Sequence, residues 1–311
     1  AALSSPNNDS NAPQLKSVTE NRPPRPWNLL PLDYWEAKVS DRNFSNILFE
    51  IKAFETDLNS CMKTPTTSCV IKEAYVAANN INNAWRRDFS LIFVVGAQTA
   101  FGDIDGALQT IGRIESSNLR LPARLAVAKE HVARQNIPEA TRITNKVLKN
   151  ISIVEIAYIR TWVFALSASV FAEIGDVRNA ALNIRKALQS MGNIKENSTR
   201  AEMYSLIAYA QGGSRDLKGA TESIANAFVE IDKTKDTFLS ALALTFLAQA
   251  QAKLGQSENY KRSISMALNK ASALRAGPRA LVLSFVSSTQ AEVGDVHGSQ
   301  KTIQPAIDTI K

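Results

Sequence analysis

Histidine and cysteine are scarce in this sequence of 311 residues, which contains two of each. Neither His131 nor His297 has a Ser, Cys or metal-ligand partner that the sequence can assign, and no histidine lies near the cysteines. The carboxylates Asp103 and Asp105 fall in a predicted helix–helix turn, where capping accounts for them. The sequence therefore predicts no catalytic residue, no metal site and no cofactor, and we expect a protein that is not an enzyme.

Long apolar runs and long runs of like charge are also missing. The longest apolar-leaning stretch without charge, residues 237–252, is shorter than the roughly 18 to 20 residues that a membrane-spanning helix needs, so we expect no transmembrane segment. Lys and Arg number 36 against 29 Asp and Glu, a net charge of +7, but they occur as scattered pairs such as Arg86 with Arg87. This distribution favours a mildly basic solvated surface over a nucleic-acid face.

Glycine and proline are too few for a protein built from many tight β-turns. The chain has 13 Gly and 11 Pro, while 45% of its residues are hydrophobic, enough for a sizeable core. An all-α protein is therefore the expected class.

The N-terminal part divides into two expected regions. Residues 1–39 combine a tail rich in Asn, Ser and Pro with an aromatic patch, which caps the first helices or, alternatively, docks on a partner. Residues 40–87 are predicted to form a helical hairpin. One helix carries apolar residues from Phe44 to Leu58, and the other carries them from Val70 to Ile81.

The two cysteines, Cys61 and Cys69, lie close together near the middle of this predicted hairpin. A disulfide between them would staple the hairpin and contribute about 2 to 3 kcal/mol. We favour this bridge because the pair is isolated; the alternative is two unpaired thiols in a reducing compartment. The chain also opens with Ala1-Ala2, as a mature exported protein does after signal cleavage. We therefore expect a periplasmic or secreted protein, with a cytoplasmic one as the alternative.

Residues 88–311 contain an internal repeat with a period of about 40 residues. A turn frame recurs at six positions: Gly102, Gln135, Gly175, Arg215, Gly255 and Gly294. A small residue follows most turns by five positions: Ala107, Ala140, Ala180, Ala220 and Ser299, with Tyr260 as the exception. Glycine can close the first helix in the left-handed conformation, and small side chains let helices approach closely. The pattern predicts six helical pairs.

These features resemble tetratricopeptide repeats. The resemblance rests on the turn glycine, on the small residues after it, and on a small residue seven positions before it: Ala128, Ala168, Ala208, Ala248 and Ser287, with Val95 as the exception. The usual period is 34, however, and Gln98, Gln211, Gln251 and Gln290 replace an aromatic residue four positions before the turn. The resemblance implies a right-handed helical-repeat solenoid, and a related helical-repeat family remains an alternative.

In such a solenoid the first helix of each pair lines a concave groove. Carrying that frame over places Phe89, Trp162, Glu202, Tyr209, Gln249 and Lys253 on the groove wall, together with Ile92, Leu242 and Thr245. We expect Trp162 and Tyr209 to be exposed there, as aromatic anchors for a peptide or a helix. The alternative for Phe89, Ile92 and Leu242 is a place in the core between repeats.

The sequence thus predicts a non-enzymatic scaffold or adaptor that binds a peptide or helical segment of a protein partner within a larger exported or periplasmic assembly. Two alternatives belong to other classes. One is an accessory helical domain that supports a separate cell-wall enzyme. The other is a nucleic-acid or regulatory repeat module, whose binding would weaken steeply with added salt.

Overall fold

The computed structural model describes residues 67–310, and this part of the chain contains thirteen α-helices and no strand. Numbered in chain order, they are α1 (Thr67–Asn79), α2 (Ala84–Phe101), α3 (Ile104–Arg113), α4 (Ser117–Ala133), α5 (Ile137–Lys149), α6 (Ala157–Glu173), α7 (Val177–Met191), α8 (Asn197–Gly213), α9 (Leu217–Lys233), α10 (Thr237–Lys253), α11 (Ser257–Ser272), α12 (Ala276–Glu292) and α13 (Val296–Ile310); a short 3-10 turn, Ile151–Ile153, follows α5. The predicted all-α class is confirmed for the residues described.

Helices α2 to α13 pack as six consecutive pairs, in the number and order that the repeat predicts. The turn between the two helices of each pair contains a residue in the left-handed conformation, with φ between 61° and 90°. These residues are Gly102, Gln135, Gly175, Arg215, Gly255 and Gly294, the six positions that the sequence frame marks. Gln135 and Arg215 are the non-glycine residues with positive φ in the described part of the chain.

Each turn is closed by the same hydrogen bond, in which the N–H after the left-handed residue donates to the carbonyl five positions earlier. The distance is 2.8 Å from Asp103 N to Gln98 O and 2.9 Å from Asp216 N to Gln211 O. This bond satisfies a carbonyl that the end of the first helix would otherwise leave without a partner. Local chemistry therefore accounts for the turns.

The pairs are arranged in two layers. The first helices of the pairs, α2, α4, α6, α8, α10 and α12, stack on one another in chain order. Each second helix packs on its own first helix and, except for α13, less extensively on the first helix of the next pair. The small residues before the turns are fully buried in these contacts: Ala128, Ala168, Ala208 and Ala248. The small residues after the turns, where the sequence predicts a close approach of helices, are buried as well: Ala107, Ala140, Ala180 and Ala220.

Two of the glutamines four positions before the turn, Gln211 and Gln251, join the two helices of their pair. Gln211 Oε1 accepts a hydrogen bond from Ser223 Oγ at 2.7 Å, and Gln251 Oε1 accepts one from Ser263 Oγ at the same distance. Gln211 Nε2 also donates to the Asp216 carboxylate at 3.1 Å. A buried polar link thus occupies the position where a tetratricopeptide repeat usually has an aromatic residue.

A second periodic feature is not part of the repeat pattern described above. The residue fifteen positions before the turn is Arg in five of the six pairs, at Arg87, Arg120, Arg160, Arg200 and Arg279, and Ser240 in the other. Arg160 donates to Val154 O at 3.0 Å and 2.7 Å, and Arg120 donates to Ile114 O. Ser240 reaches the matching carbonyl, Thr234 O, at 3.4 Å. Arg120, Arg160 and Ser240 thus cap the loops that precede their helices, whereas Arg87 and Arg200 form ion pairs with Glu115 and Glu230.

Several expectations concern residues that the structure does not describe. The tail, the first helix of the predicted hairpin and Cys61 lie outside residues 67–310. Cys69 lies in α1, but Cys61 is not among the described residues, so the bridge between the two cysteines stays a prediction. The predicted boundary between residues 87 and 88 falls inside α2. Within the described residues, no helix combines the length and apolar character that a membrane span needs.

Candidate partner-binding face

The structure buries most of the side chains that the groove prediction selected. Phe89, Trp162, Glu202, Tyr209 and Gln249 are all less than 9% exposed, and Trp162 is 0% exposed; Ile92, Leu242 and Thr245 are buried as well. Lys253 is exposed. The expected exposure of Trp162 and Tyr209 is therefore wrong, and the alternative of a core position holds for Phe89, Ile92 and Leu242.

The reason for this burial is that the central first helices are enclosed along most of their length. In α6 every residue from Thr161 to Ala172 is buried, and in α10 every residue from Leu239 to Gln251 is buried. A helix with two flanking first helices and its own second helix has contacts on most sides. Its sequence is accordingly apolar or small nearly all round, which is typical of a buried helix and not of an open groove wall.

A chain of aromatic rings connects the first pair to the last. Within α2, Trp85 stacks on Phe89 with ring centroids 4.8 Å apart, and Phe89 meets Phe93 edge-on at 5.6 Å. Phe93 then contacts Phe285 of α12 at 6.4 Å, and Phe285 contacts Phe246 of α10 at 5.8 Å. The layer of first helices therefore curves far enough for a ring of α2 to contact a ring of α12.

A tyrosine–lysine cluster, formed by Lys129, Glu173, Tyr209 and Lys253, gathers side chains from four successive first helices, α4 to α10. The ammonium of Lys129 lies 5.2 Å from the centroid of the Tyr209 ring, and that of Lys253 lies 5.4 Å from it. Glu173 approaches Lys129 with an N–O distance of 3.7 Å. Two cations thus share one aromatic ring, an arrangement worth about 0.5 to 1 kcal/mol for each cation at a partly exposed site.

Glycine at the end of α8 makes room for this cluster. A Cβ on Gly213 would lie 3.1 Å from the Cβ of Ala172 and 3.8 Å from Cε of Lys253. A Cβ on Gly212 would lie 3.5 Å from Cγ of Lys253. The aliphatic stem of Lys253 therefore runs along the bare backbone of α8, and its ammonium reaches the Tyr209 ring.

The cluster leaves one cation without a carboxylate partner among the described residues. Lys129 has Glu173, whereas Lys253 is exposed and forms no ion pair with any residue of the described range. One helical turn before Lys253, Gln249 Nε2 donates to Thr289 Oγ1 at 3.1 Å, and neither of these buried side chains carries a charge. The cluster therefore carries a local positive charge that an acidic side chain of another molecule could meet.

The remaining sequence candidates for chemistry do not come together. His131 Nδ1 lies 3.4 Å from Asn136 Nδ2 beside the turn at Gln135. Within the described residues there is no group of three or more His, Cys, Asp or Glu side chains that could hold a metal ion.

Comparisons with known proteins show a likeness to solved structures. No family model matches the sequence, and no curated protein matches it. Among solved structures, the chain is similar to BtubC (BKLC) from P. vanneervenii, with a TM-score of 0.37 and 12% identity over 77% of this chain and 90% of that one. Nothing about function follows from a likeness of this degree. The described part is thus assigned on its own features to the all-helical proteins built from adjacent helical pairs.

Proposed function

We propose that this protein is a non-enzymatic scaffold that binds a peptide or helical segment of a protein partner at the tyrosine–lysine cluster. The observation that carries the proposal is the position of two lysine ammoniums over the Tyr209 ring, with Lys253 exposed and without a carboxylate among the described residues. A partner carboxylate that reaches Lys253 would complete an ion pair beside an aromatic surface. Such charge-assisted contacts give register and specificity to peptide recognition.

The cluster also suits a partner because of how it is held. Tyr209 is buried and is fixed in a helix between α6 and α10, so its ring is already oriented before a partner arrives. Lys253 is oriented by the glycines at the end of α8. A site held in its binding geometry loses little conformational entropy on association.

Cross-linking of the native protein in its source cells tests the proposal, with linked peptides identified by mass spectrometry. We expect one stoichiometric partner to be linked through Lys253 or Lys129 by an amine-reactive reagent. Lys261, which is exposed on α11 and paired with Glu258 at 2.9 Å, serves as the matched control. Lys253→Glu should reduce recovery of that partner by about tenfold, whereas Lys261→Glu should leave recovery unchanged. Equal losses in the two variants would exclude the cluster as the site.

Two further features belong to the same proposal. The array is a right-handed, tetratricopeptide-like solenoid, supported by the six left-handed turns and the buried small residues. The protein acts in a periplasmic or extracellular assembly, a location supported by the isolated cysteine pair. Mass spectrometry of unreduced, alkylated protein tests the location: two modified thiols would remove its support.

A further inference from the structure

Helix α7, the second helix of the third pair, has an outward surface unlike those of its neighbours. Its buried side consists of Ala180, Asn183, Ile184, Ala187, Ser190 and Met191. Its exposed side carries three cations, Arg178, Arg185 and Lys186, and two leucines, Leu182 and Leu188. We call these five exposed residues the α7 stripe.

The α7 stripe is positive without any compensating charge in its own helix. Residues 177–191 contain no Asp or Glu, whereas other second helices include at least one carboxylate: Asp105 in α3, Glu139 in α5, Glu222 in α9 and Glu258 in α11. Uncompensated cations on one helix surface attract an anionic partner.

The stripe cations are also unpaired across the rest of the described chain. Arg142 of α5 lies 2.6 Å from Glu139, and Lys261 of α11 lies 2.9 Å from Glu258. No such ion pair engages Arg178, Arg185 or Lys186 with any residue in the described range. Lys186 instead places its ammonium 5.5 Å from the centroid of the Phe164 ring. The charges are therefore available to a partner without the loss of an existing ion pair.

Helical spacing brings these cations and the two leucines onto one surface. Leu182 follows Arg178 by four residues, Arg185 follows Leu182 by three, and Leu188 follows Arg185 by three, so the side chains are neighbours along the helix. Leu182 is 39% exposed and Leu188 is 40% exposed. Leucines between cations give the stripe apolar area as well as charge.

We propose that the α7 stripe docks an acidic amphipathic helix of a partner protein, at a surface separate from the tyrosine–lysine cluster. Leucines of the partner cover Leu182 and Leu188, and its carboxylates pair with Arg178, Arg185 and Lys186. Charge complementarity identifies the partner as acidic. The stripe is only one helix wide and has leucines between its cations, so it fits a single partner helix better than a bilayer. The stripe has no aromatic side chain of the kind that anchors helices at a lipid interface.

Fluorescence anisotropy with the full chain tests this docking site. The probe is a labelled synthetic helix with Leu and Glu on one face, and the comparison peptide has Lys in place of each Glu. We expect the acidic peptide alone to bind, with an affinity that falls as salt is added. Arg185→Glu combined with Lys186→Glu should weaken its binding by about tenfold.

Matched variants separate docking from general attraction. Lys261→Glu with Arg262→Glu makes the same change in net charge on α11, where both side chains are exposed, and should change the affinity less than about twofold. Leu182→Ala with Leu188→Ala keeps every charge and should still weaken binding by about threefold, because apolar contact is lost. Circular dichroism and thermal unfolding confirm that each variant folds.

Three results would overturn the proposal: equal losses in the α7 and α11 charge variants, no preference for the acidic peptide, or no effect of the leucine variants. Sedimentation with phosphatidylglycerol vesicles supplies a further outcome. If the chain binds these vesicles through Arg185 and Lys186 but does not bind the acidic peptide, the stripe is a membrane surface and a protein helix is the wrong occupant.

Discussion

The left-handed residue in each turn can be tested by single substitutions at equivalent positions of the repeat. Gly255 adopts φ of 70° with no atom within 4 Å of where a Cβ would stand, so a side chain there meets only backbone strain. Arg215 holds the equivalent position with φ of 64° and already bears that strain. Because the two positions are matched, opposite substitutions should have opposite effects.

We expect Gly255→Ala to lower the free energy of unfolding by about 1 to 2 kcal/mol and Arg215→Gly to raise it by up to about 1 kcal/mol. Urea denaturation of both variants measures the change. A loss of stability in Arg215→Gly would mean that the Arg215 side chain stabilises the fold through contacts that outweigh its backbone strain.

Tyr260 predicts a dependence of stability on pH. Burial, together with the nearby charges of Asp295 and Glu292, raises the pKa of Tyr260 to about 12 from an ordinary value of 10.0. Its hydroxyl is buried and has no hydrogen-bond partner in the described range. Below pH 10 the phenol is protonated in both the folded and the unfolded chain, so its contribution is constant. Above pH 10 the unfolded chain loses this proton first, and stability falls as the pH rises toward 12.

Tyr260→Phe should therefore flatten the decrease in the free energy of unfolding between about pH 10 and pH 12. At neutral pH the variant should be at least as stable as the natural protein, because it removes a buried hydroxyl without a partner. Urea denaturation across this pH range makes the comparison. Parallel curves for the two proteins would show that Tyr260 ionises normally in the folded state.

At the residue scale, sequence reasoning succeeded where the cause is local. A left-handed turn depends on a few neighbouring residues, so even Gln135 and Arg215 could be placed from the frame alone. The exposure of Trp162 depends on what surrounds α6 on every side, and no local pattern contains that information. The arginines fifteen positions before the turns recur in the sequence as well, but the turn and small residues that predict the repeat do not include them.

Individual helices are tied into pairs by buried polar contacts as well as by apolar packing. Gln251 in α10 and Ser263 in α11 are both buried, and their side chains form a hydrogen bond of 2.7 Å. Removing one partner leaves the other polar group buried without that bond, which costs more than removing both.

Gln251→Leu should accordingly lower the free energy of unfolding by about 1 to 3 kcal/mol, and adding Ser263→Ala should restore part of that loss. A double-mutant cycle in urea measures the coupling between the two side chains. Simple addition of the two single effects would show that the hydrogen bond does not connect the helices energetically.

The packing of the helices also explains how much of the candidate site could be predicted from the sequence. Repeat spacing placed Tyr209 and Lys253 in adjacent first helices, and the structure brings Lys253 to the Tyr209 ring. Lys129 joins them from α4, two first helices away from α8, with α6 between. Its participation follows from the curvature of the layer, which depends on packing summed over several pairs.

For the whole molecule, the contact between Phe93 and Phe285 makes the two ends of the array interdependent. Phe93→Ala should destabilise the protein by about 2 to 4 kcal/mol and raise amide hydrogen exchange in both α2 and α12. Phe101→Ala is the matched control, because Phe101 lies in the same helix with 55% of its surface exposed and should change little. Faster exchange in α2 alone would show that the ends do not support each other.

An open array of repeats can lose or gain a unit, because each unit contacts only its neighbours. In this chain the ring of Phe285 meets the ring of Phe93 after six pairs. Deleting one pair would move Phe285 away from Phe93, and inserting one would drive the two ends past each other. The aromatic contact between the two ends therefore depends on the number of repeats, and duplication or loss of a single repeat would remove it.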